Sequence, residues 1–196
     1  MARRVSHAPT HQRSVLLLNP LFNLFVYDMD MKIEHIRTLL SIVPAYPGVG
    51  IYHISDHEPL LSLELTRFCE ERGYSYDLMV PDMKFLEVLR EEGIAAEAFD
   101  LQRPRYNRHA KLYDFLFVTL DPLRIEAWPL FLKKLYMIMK NGAKLLLFLP
   151  LQEPTERYEA LLEAGNFVAI NPIDLFDDHQ LLSAQKMHGW GIYDLR

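Results

Sequence analysis

The sequence predicts an α/β sandwich in which a mostly parallel sheet lies between helical layers. Three observations carry that expectation. Apolar runs of strand length alternate with stretches of helical periodicity along most of the 196 residues, the pattern of parallel strands joined by right-handed helical crossovers. The run Leu145 to Leu149 is continuously apolar, as expected of a strand covered on both faces. Gly73, Gly93 and Gly165 close successive helical stretches, and Asn141-Gly142 supplies a left-handed exit from another.

Each element has its own warrant. Ile33, Ile36, Leu40 and Val43 recur along one helical face, which Pro44, Pro47 and Gly48 bring to an end. Val49 to Ser55 forms the first strand of the series, and Leu61, Leu65, Phe68 and Cys69 place a stripe along the following helix. Tyr76 to Val80 is the second strand; Phe85, Leu86 and Leu89 mark the next helix. Ile94 to Phe99 is the third strand and Tyr113 to Thr119 the fourth. Ile125, Trp128, Leu132, Leu135, Tyr136 and Met139 predict a helix of about four turns. Beyond the apolar strand Leu145 to Leu149, a helix bears Tyr158, Leu161 and Leu162, and Phe167 to Pro172 and Leu181 to Lys186 close the sheet. Residues 1–45 are expected to form an arm and a helix, and residues 46–196 the α/β domain. Met1 to Gln12 is polar and basic, as a loose arm would be.

Half of the residues are apolar, enough for one filled core that buries roughly 70% of the unfolded surface. A net charge of −5 argues against a surface built to coat nucleic acid. Val15 to Tyr27 is interrupted by Asn19, Pro20 and Asn23 and is too short to span a bilayer. No small-residue cleavage site follows it, so export is not expected. The single Cys69 makes no internal disulfide and lies on an apolar stripe, as a small buried hydrophobe would. A cytoplasmic protein is the simplest expectation.

Several segments also carry a family likeness. Phe131 to Pro150, in which a helix ends in a lysine, a turn and a glycine before a buried strand, resembles the passage into the fifth strand of class I S-adenosylmethionine-dependent methyltransferases. Tyr113 to Thr119 is similar to that family's fourth strand, and Leu161 to Val168 resembles the passage into its final hairpin. The likeness covers roughly residues 46 to 190, by pattern and spacing. It implies a Rossmann-like, seven-stranded sheet with the last strand antiparallel, and S-adenosylmethionine as cofactor. It further implies a glycine-rich loop after strand one and acids after strands two and three. Asp82 and Asp100 stand at those two acid positions, toward ribose and adenine respectively; helix capping is their alternative role. Ser55 and Asp56 stand in the first loop, where the sequence departs from the family: no glycine occurs between Ile51 and Arg72. Asp121-Pro122 is placed near a methyl acceptor, with Asp121 the candidate catalytic residue. Leu123 and Arg124 do not match the acid/amide–proline motif of amino-group methylases.

Other constellations lie near the same edge. His53, Asp56, His57 and Glu58 are four potential metal ligands within six residues, but their crowding suits a helix-capping loop better than a tetrahedral site. The basic loop Arg103 to Lys111, with Arg103, Arg105, Tyr106 and Arg108, offers guanidinium forks and an aromatic face to an anionic substrate or a protein partner, or lies solvated. Trp190 and Tyr193, with Met187 and His188, pack on the sheet or associate. Neither a nucleophile elbow nor a phosphate-binding glycine loop is present, which disfavours a hydrolase and an NTPase. Two functions follow: a methyltransferase-like enzyme with an atypical first loop, or a catalytically inactive Rossmann-like scaffold that has lost its cofactor loop and serves a protein partner. A dinucleotide-dependent oxidoreductase lacks its glycine fingerprint.

Overall fold

The centre of the sheet is built by strands that are apolar on both faces. In this computed structural model, which describes residues 31–107 and 109–187, β1 (Gly50–Ser55) is buried at every position, and β4 (Tyr113–Thr119) at every position except Asp114. They pair in parallel, Ile51 opposite Phe115 and Ser55 opposite Thr119. On one side β2 (Ser75–Val80) and the short β3 (Glu97–Ala98) extend the parallel sheet. On the other lie β5 (Met139–Pro150), β7 (His179–Lys186) and β6 (Phe167–Ile173). The order is β3-β2-β1-β4-β5-β7-β6, with β7 antiparallel to both neighbours. This is the expected seven-stranded mixed sheet of a Rossmann-like sandwich.

Helices cover both faces. Ile51, Phe117, Leu146 and Phe148 pack under α1 (Ile33–Leu40) and α2 (Pro59–Arg72) through Ile36, Leu39, Leu61 and Leu65. Tyr52, Ile54, Leu116 and Leu147 face the other way, toward α4 (Trp128–Ile138) and α5 (Thr155–Ala164). Strand alternation thus divides one core into two layers. α3 (Met83–Glu91) closes a smaller cluster of Leu78, Val80, Phe85, Leu86, Leu89 and Ile94. Gly73 and Gly93 end α2 and α3 with φ of 65° and 75°, a conformation that penalises any side chain with a Cβ.

Four boundaries differ from expectation. β3 is reduced to two residues, because Ile94 is drawn into the cluster under α3 and its N–H satisfies the Leu89 carbonyl. α4 begins at Trp128, not Ile125, since Pro122–Arg124 first makes a 3-10 turn. It ends at Ile138: Met139 is already extended and pairs with Tyr113. Asn141-Gly142 is therefore no helix exit; Gly142, at φ 78°, lies in the first part of β5, where the register with β4 shifts. Val43 is buried although α1 stops at Leu40, and Ile33 is largely exposed. Among the described residues no helix is long and apolar enough to cross a membrane. Met1 to Gln12, Val15 to Tyr27, Arg108, His188, Trp190 and Tyr193 lie outside the described residues.

Candidate functional site

Because β3, β2, β1 and β4 run parallel and adjacent, their carboxyl ends share one rim, the edge on which open α/β sheets bind ligands. Asp100, Asp82, Asp56 and Asp121 follow those four strands in that order. The rim therefore brings together the carboxylates singled out in the sequence.

Arg124 organises three of the four loops. Its Nε lies 3.1 Å from Asp56 Oδ2 and its Nη2 donates to Asp82 Oδ2 at 3.0 Å. The side chain reaches them because the turn Pro122–Arg124 is capped by Asp121, whose Oδ1 accepts the Leu123 N–H at 2.9 Å. Nothing in the sequence pattern isolates Arg124, which in the motif comparison is only a mismatch.

Asp56 is almost fully buried, and its carboxylate is correspondingly well satisfied. Oδ2 also accepts the Asp121 N–H at 3.2 Å, and Oδ1 meets His57 Nδ1. The Asp56 N–H donates to Thr119 O at 3.2 Å, sewing the end of β1 to that of β4. Ser55 is buried, and its Oγ accepts the Glu58 N–H at 3.3 Å at the start of α2. The loop after β1 is thus held by side-chain oxygens where the family has glycines. Capping of α2 by Asp56 or Glu58 side chains, the alternative drawn from the sequence, is not observed.

Asp82 plays two parts at once. Oδ1 accepts the Lys84 and Phe85 N–H groups at 2.9 and 3.0 Å and so caps α3, while Oδ2 faces Arg124. Burial alone would raise its pKa, but the Phe85 N–H, Arg124 and the Lys84 N–H together hold it below the usual carboxylate range. Asp100 makes a local turn, Oδ1 accepting the Gln102 N–H at 2.8 Å, and stays exposed.

His53, in the middle of β1, lies beneath the rim. It is fully buried, with Nδ1 2.9 Å from the Tyr76 hydroxyl and Nε2 2.9 Å from Thr119 Oγ1. Burial, assisted by nearby His57, pushes its pKa down to about 3, so it is neutral at pH 7. His53 therefore pins β1 to both neighbouring strands. No group of three or more His, Cys, Asp or Glu among the described residues is arranged to hold a metal. Cys69 is buried, and burial pushes its thiol up to about 12.

The basic loop is largely tied down. Just before β4, at the edge opposite the rim, the Lys111 and Leu112 N–H groups bond Met137 O and Ile138 O. Tyr106 is a core residue at 1% exposure, edge-on to Phe99 and Phe131; its face is not presented for stacking. The Arg103 guanidinium covers the Phe99 ring and donates to Arg105 O and Tyr106 O. Arg105 is exposed, and Arg108 lies outside the described residues. A small cleft lined by Leu101, Gln102, Ile125, Leu130 and Lys134 opens beside Arg124.

This fold is shared with solved structures of methyltransferases. The carbon methyltransferase CurJ superposes with a TM-score of 0.64 at 10% identity, over 78% of this chain and 52% of that one. The S-adenosylmethionine-dependent methyltransferase of Aquifex aeolicus gives 0.61 at 11% identity, over 76% and 88%. The fold is that of the class I S-adenosylmethionine-dependent methyltransferases. Phosphoethanolamine N-methyltransferase 2 of Haemonchus contortus, solved with S-adenosylmethionine, gives 0.61 at 12% identity, over 79% and 52%. The chain spans about half the length of CurJ and of the Haemonchus methyltransferase. No protein-family model and no curated protein matches it.

Proposed function

We propose that this methyltransferase-fold chain is an S-adenosylmethionine-dependent methyltransferase whose cofactor lies across the ends of β2, β1 and β4. The supporting observation is Asp82: an ionised carboxylate just beyond β2, with Oδ2 turned to the rim beside Arg124. The residues suit a zwitterionic nucleoside. Carboxylates on the rim accept from a ribose diol and an ammonium group, and the Arg124 fork matches a carboxylate.

In this reading Asp82 Oδ2 accepts from the ribose and Asp100 lies beside the base. Ser55 and Asp56 hold the first loop in the shape that glycines would otherwise allow. Asp121 lies toward the acceptor. When bound, the cofactor supplies an electrophilic methyl group on a sulfonium. The protein's part is to hold an acceptor in line with it and keep water out, and such positioning supplies much of the acceleration.

Isothermal titration with S-adenosylmethionine and S-adenosylhomocysteine tests this function. Saturable binding that weakens at least tenfold in Asp82→Ala is expected, since a hydrogen bond to a charged group contributes about 1.5–3 kcal/mol. Asp82→Ser retains a helix cap and serves as the folded control, with the same loss of affinity. No binding at millimolar ligand sinks the proposal. No observation in the structure favours a partner-binding scaffold over it.

A further inference from the structure

The two oxygens of Asp82 have separate duties. Oδ1 accepts both the Lys84 and the Phe85 N–H groups, at 2.9 and 3.0 Å. With two lone pairs to offer, it is filled by the cap of α3. A ligand on the rim is left with Oδ2, to which Arg124 Nη2 already donates at 3.0 Å. A vicinal diol brings two O–H donors to a carboxylate. Two hydroxyls and a guanidinium exceed the two lone pairs of one oxygen, so a diol and Arg124 exclude each other at Asp82.

Arg124 is held unequally by its two partners. Toward Asp56, Nε lies 3.1 Å from a carboxylate that is almost fully buried and that the Asp121 N–H also fixes, at 3.2 Å. A buried charge that loses its partner is strongly penalised. Toward Asp82 both side chains meet water, and an exposed pair contributes little and weakens with salt. The Asp82 contact is therefore the one that opens, while Asp56 keeps the guanidinium on the rim. Arg124 is also one wall of the small cleft that it shares with Leu101, Gln102, Ile125 and Lys134. The residues of that cleft follow β3 or lead into and along α4, so the same movement enlarges it beside Asp100.

We propose that Arg124 is an autoinhibitory latch on the nucleoside site, holding the free oxygen of Asp82 until a ligand with a vicinal diol displaces it. The inference rests on the methyltransferase function above, in which that ligand is the cofactor. At Asp82 the guanidinium competes with the nucleoside, whereas a residue that only bound the ligand would assist it. Binding exchanges one exposed ion pair for two hydroxyl hydrogen bonds. An uncharged nucleoside therefore gains affinity when salt weakens the pair, although salt has no charge on the ligand itself to screen.

The test is calorimetric titration of the full chain with 5′-methylthioadenosine, an uncharged nucleoside that keeps the diol. Arg124→Ala should bind it about two- to fivefold more tightly than the wild type does. Raising sodium chloride from about 0.05 to 0.5 M should tighten binding to the wild type by a similar factor and leave Arg124→Ala unmoved. Arg124→Gln, which keeps hydrogen-bond donors for Asp56 without the charge, replaces the alanine variant if that one does not fold. Affinity that is lower or unchanged without Arg124 overturns the latch, as does a wild-type salt response that is absent or shared by the variant. So does the absence of binding at millimolar nucleoside in wild type and variant alike. S-adenosylhomocysteine titrated on the same samples separates the two levels. If it binds while the nucleoside shows neither response, the latch falls and the methyltransferase function stands. A nucleoside that shows both responses on a chain that does not bind S-adenosylhomocysteine upholds the latch and overturns the function.

Discussion

Arg124 donates to Asp82 at 3.0 Å, joining the turn after β4 to the cap of α3. The same guanidinium contacts Asp56 at 3.1 Å, so one side chain bridges the loops after β1, β2 and β4. Its two ion pairs differ in setting. The Asp56 carboxylate is only 3% exposed, whereas Asp82 is 23% and Arg124 itself 42% exposed. Water and salt screen the second pair far more than the first.

That difference predicts unequal couplings in urea-denaturation double-mutant cycles. The Arg124→Ala and Asp56→Asn cycle should give about 1–3 kcal/mol, persisting at high salt, because a buried carboxylate loses a charged partner. The Arg124→Ala and Asp82→Asn cycle should give about 0–1 kcal/mol and fade as salt is added. Equal couplings would show that Arg124 does not distinguish the two carboxylates.

Asp82 should also leave an acid signature. Its folded pKa lies below the unfolded value of about 3.9. Its contribution to stability is therefore fully present above the unfolded pKa and is lost as pH falls through the folded one. Asp82→Ala should cost about 1 kcal/mol at pH 7 through the lost cap, and that gap should narrow as the solution is acidified toward pH 2. Against Asp82→Ser, whose hydroxyl cap does not titrate, the wild type should lose ground over the same window. A gap that is flat with pH would mean the carboxylate is not ionised in the cap.

Two glycines separate backbone conformation from close packing. Gly73 has φ 65° and open space where a Cβ would project, so Gly73→Ala should cost about 1–2 kcal/mol from left-handed backbone alone. Gly73→Asn should cost less, asparagine tolerating that region. At Gly50 the backbone angle is ordinary, but a Cβ would lie 2.9 Å from the Leu112 carbonyl oxygen. Gly50→Ala should therefore cost about 1–3 kcal/mol through overpacking, and Gly50→Asn should be worse still. Thermal denaturation of the four variants checks the opposite response to asparagine.

The parts of this molecule that depend on local pattern are legible in the sequence. Leu145 to Leu149 marks a doubly covered strand, Gly73 and Gly93 mark helix ends, and strand order places Asp56, Asp82, Asp100 and Asp121 on one rim. What the pattern hides depends on contacts remote in the chain. Arg124 acquires its role only by meeting Asp82, 42 residues away. Tyr106 reads as a loop aromatic among arginines, and becomes core by packing against Phe99 and, 25 residues on, Phe131. His179 carries no mark in the sequence pattern; its Nε2, without a hydrogen-bond partner among the described residues, is enclosed only after β5 and β7 pair. Asn141-Gly142 reads as a helix exit because a glycine at φ 78° serves a strand irregularity as well as a helix end.

His53 gives the clearest pH prediction. It is neutral in the folded chain down to about pH 3, whereas an unfolded histidine takes up a proton near pH 6.5. Between these values the unfolded state binds one more proton, so stability falls as pH is lowered, by about 1.4 kcal/mol per pH unit from this residue alone. Above pH 6.5 neither state is protonated there and the slope disappears. Urea midpoints between about pH 4 and 6 should show that dependence, diminished by one proton in His53→Gln, which keeps polar atoms for Tyr76 and Thr119. In the wild type, proton NMR should find the His53 ring signal unmoved across the same interval. A ring that titrates near pH 6.5 would show that β1 does not bury it, and the pin beneath the rim would go with it.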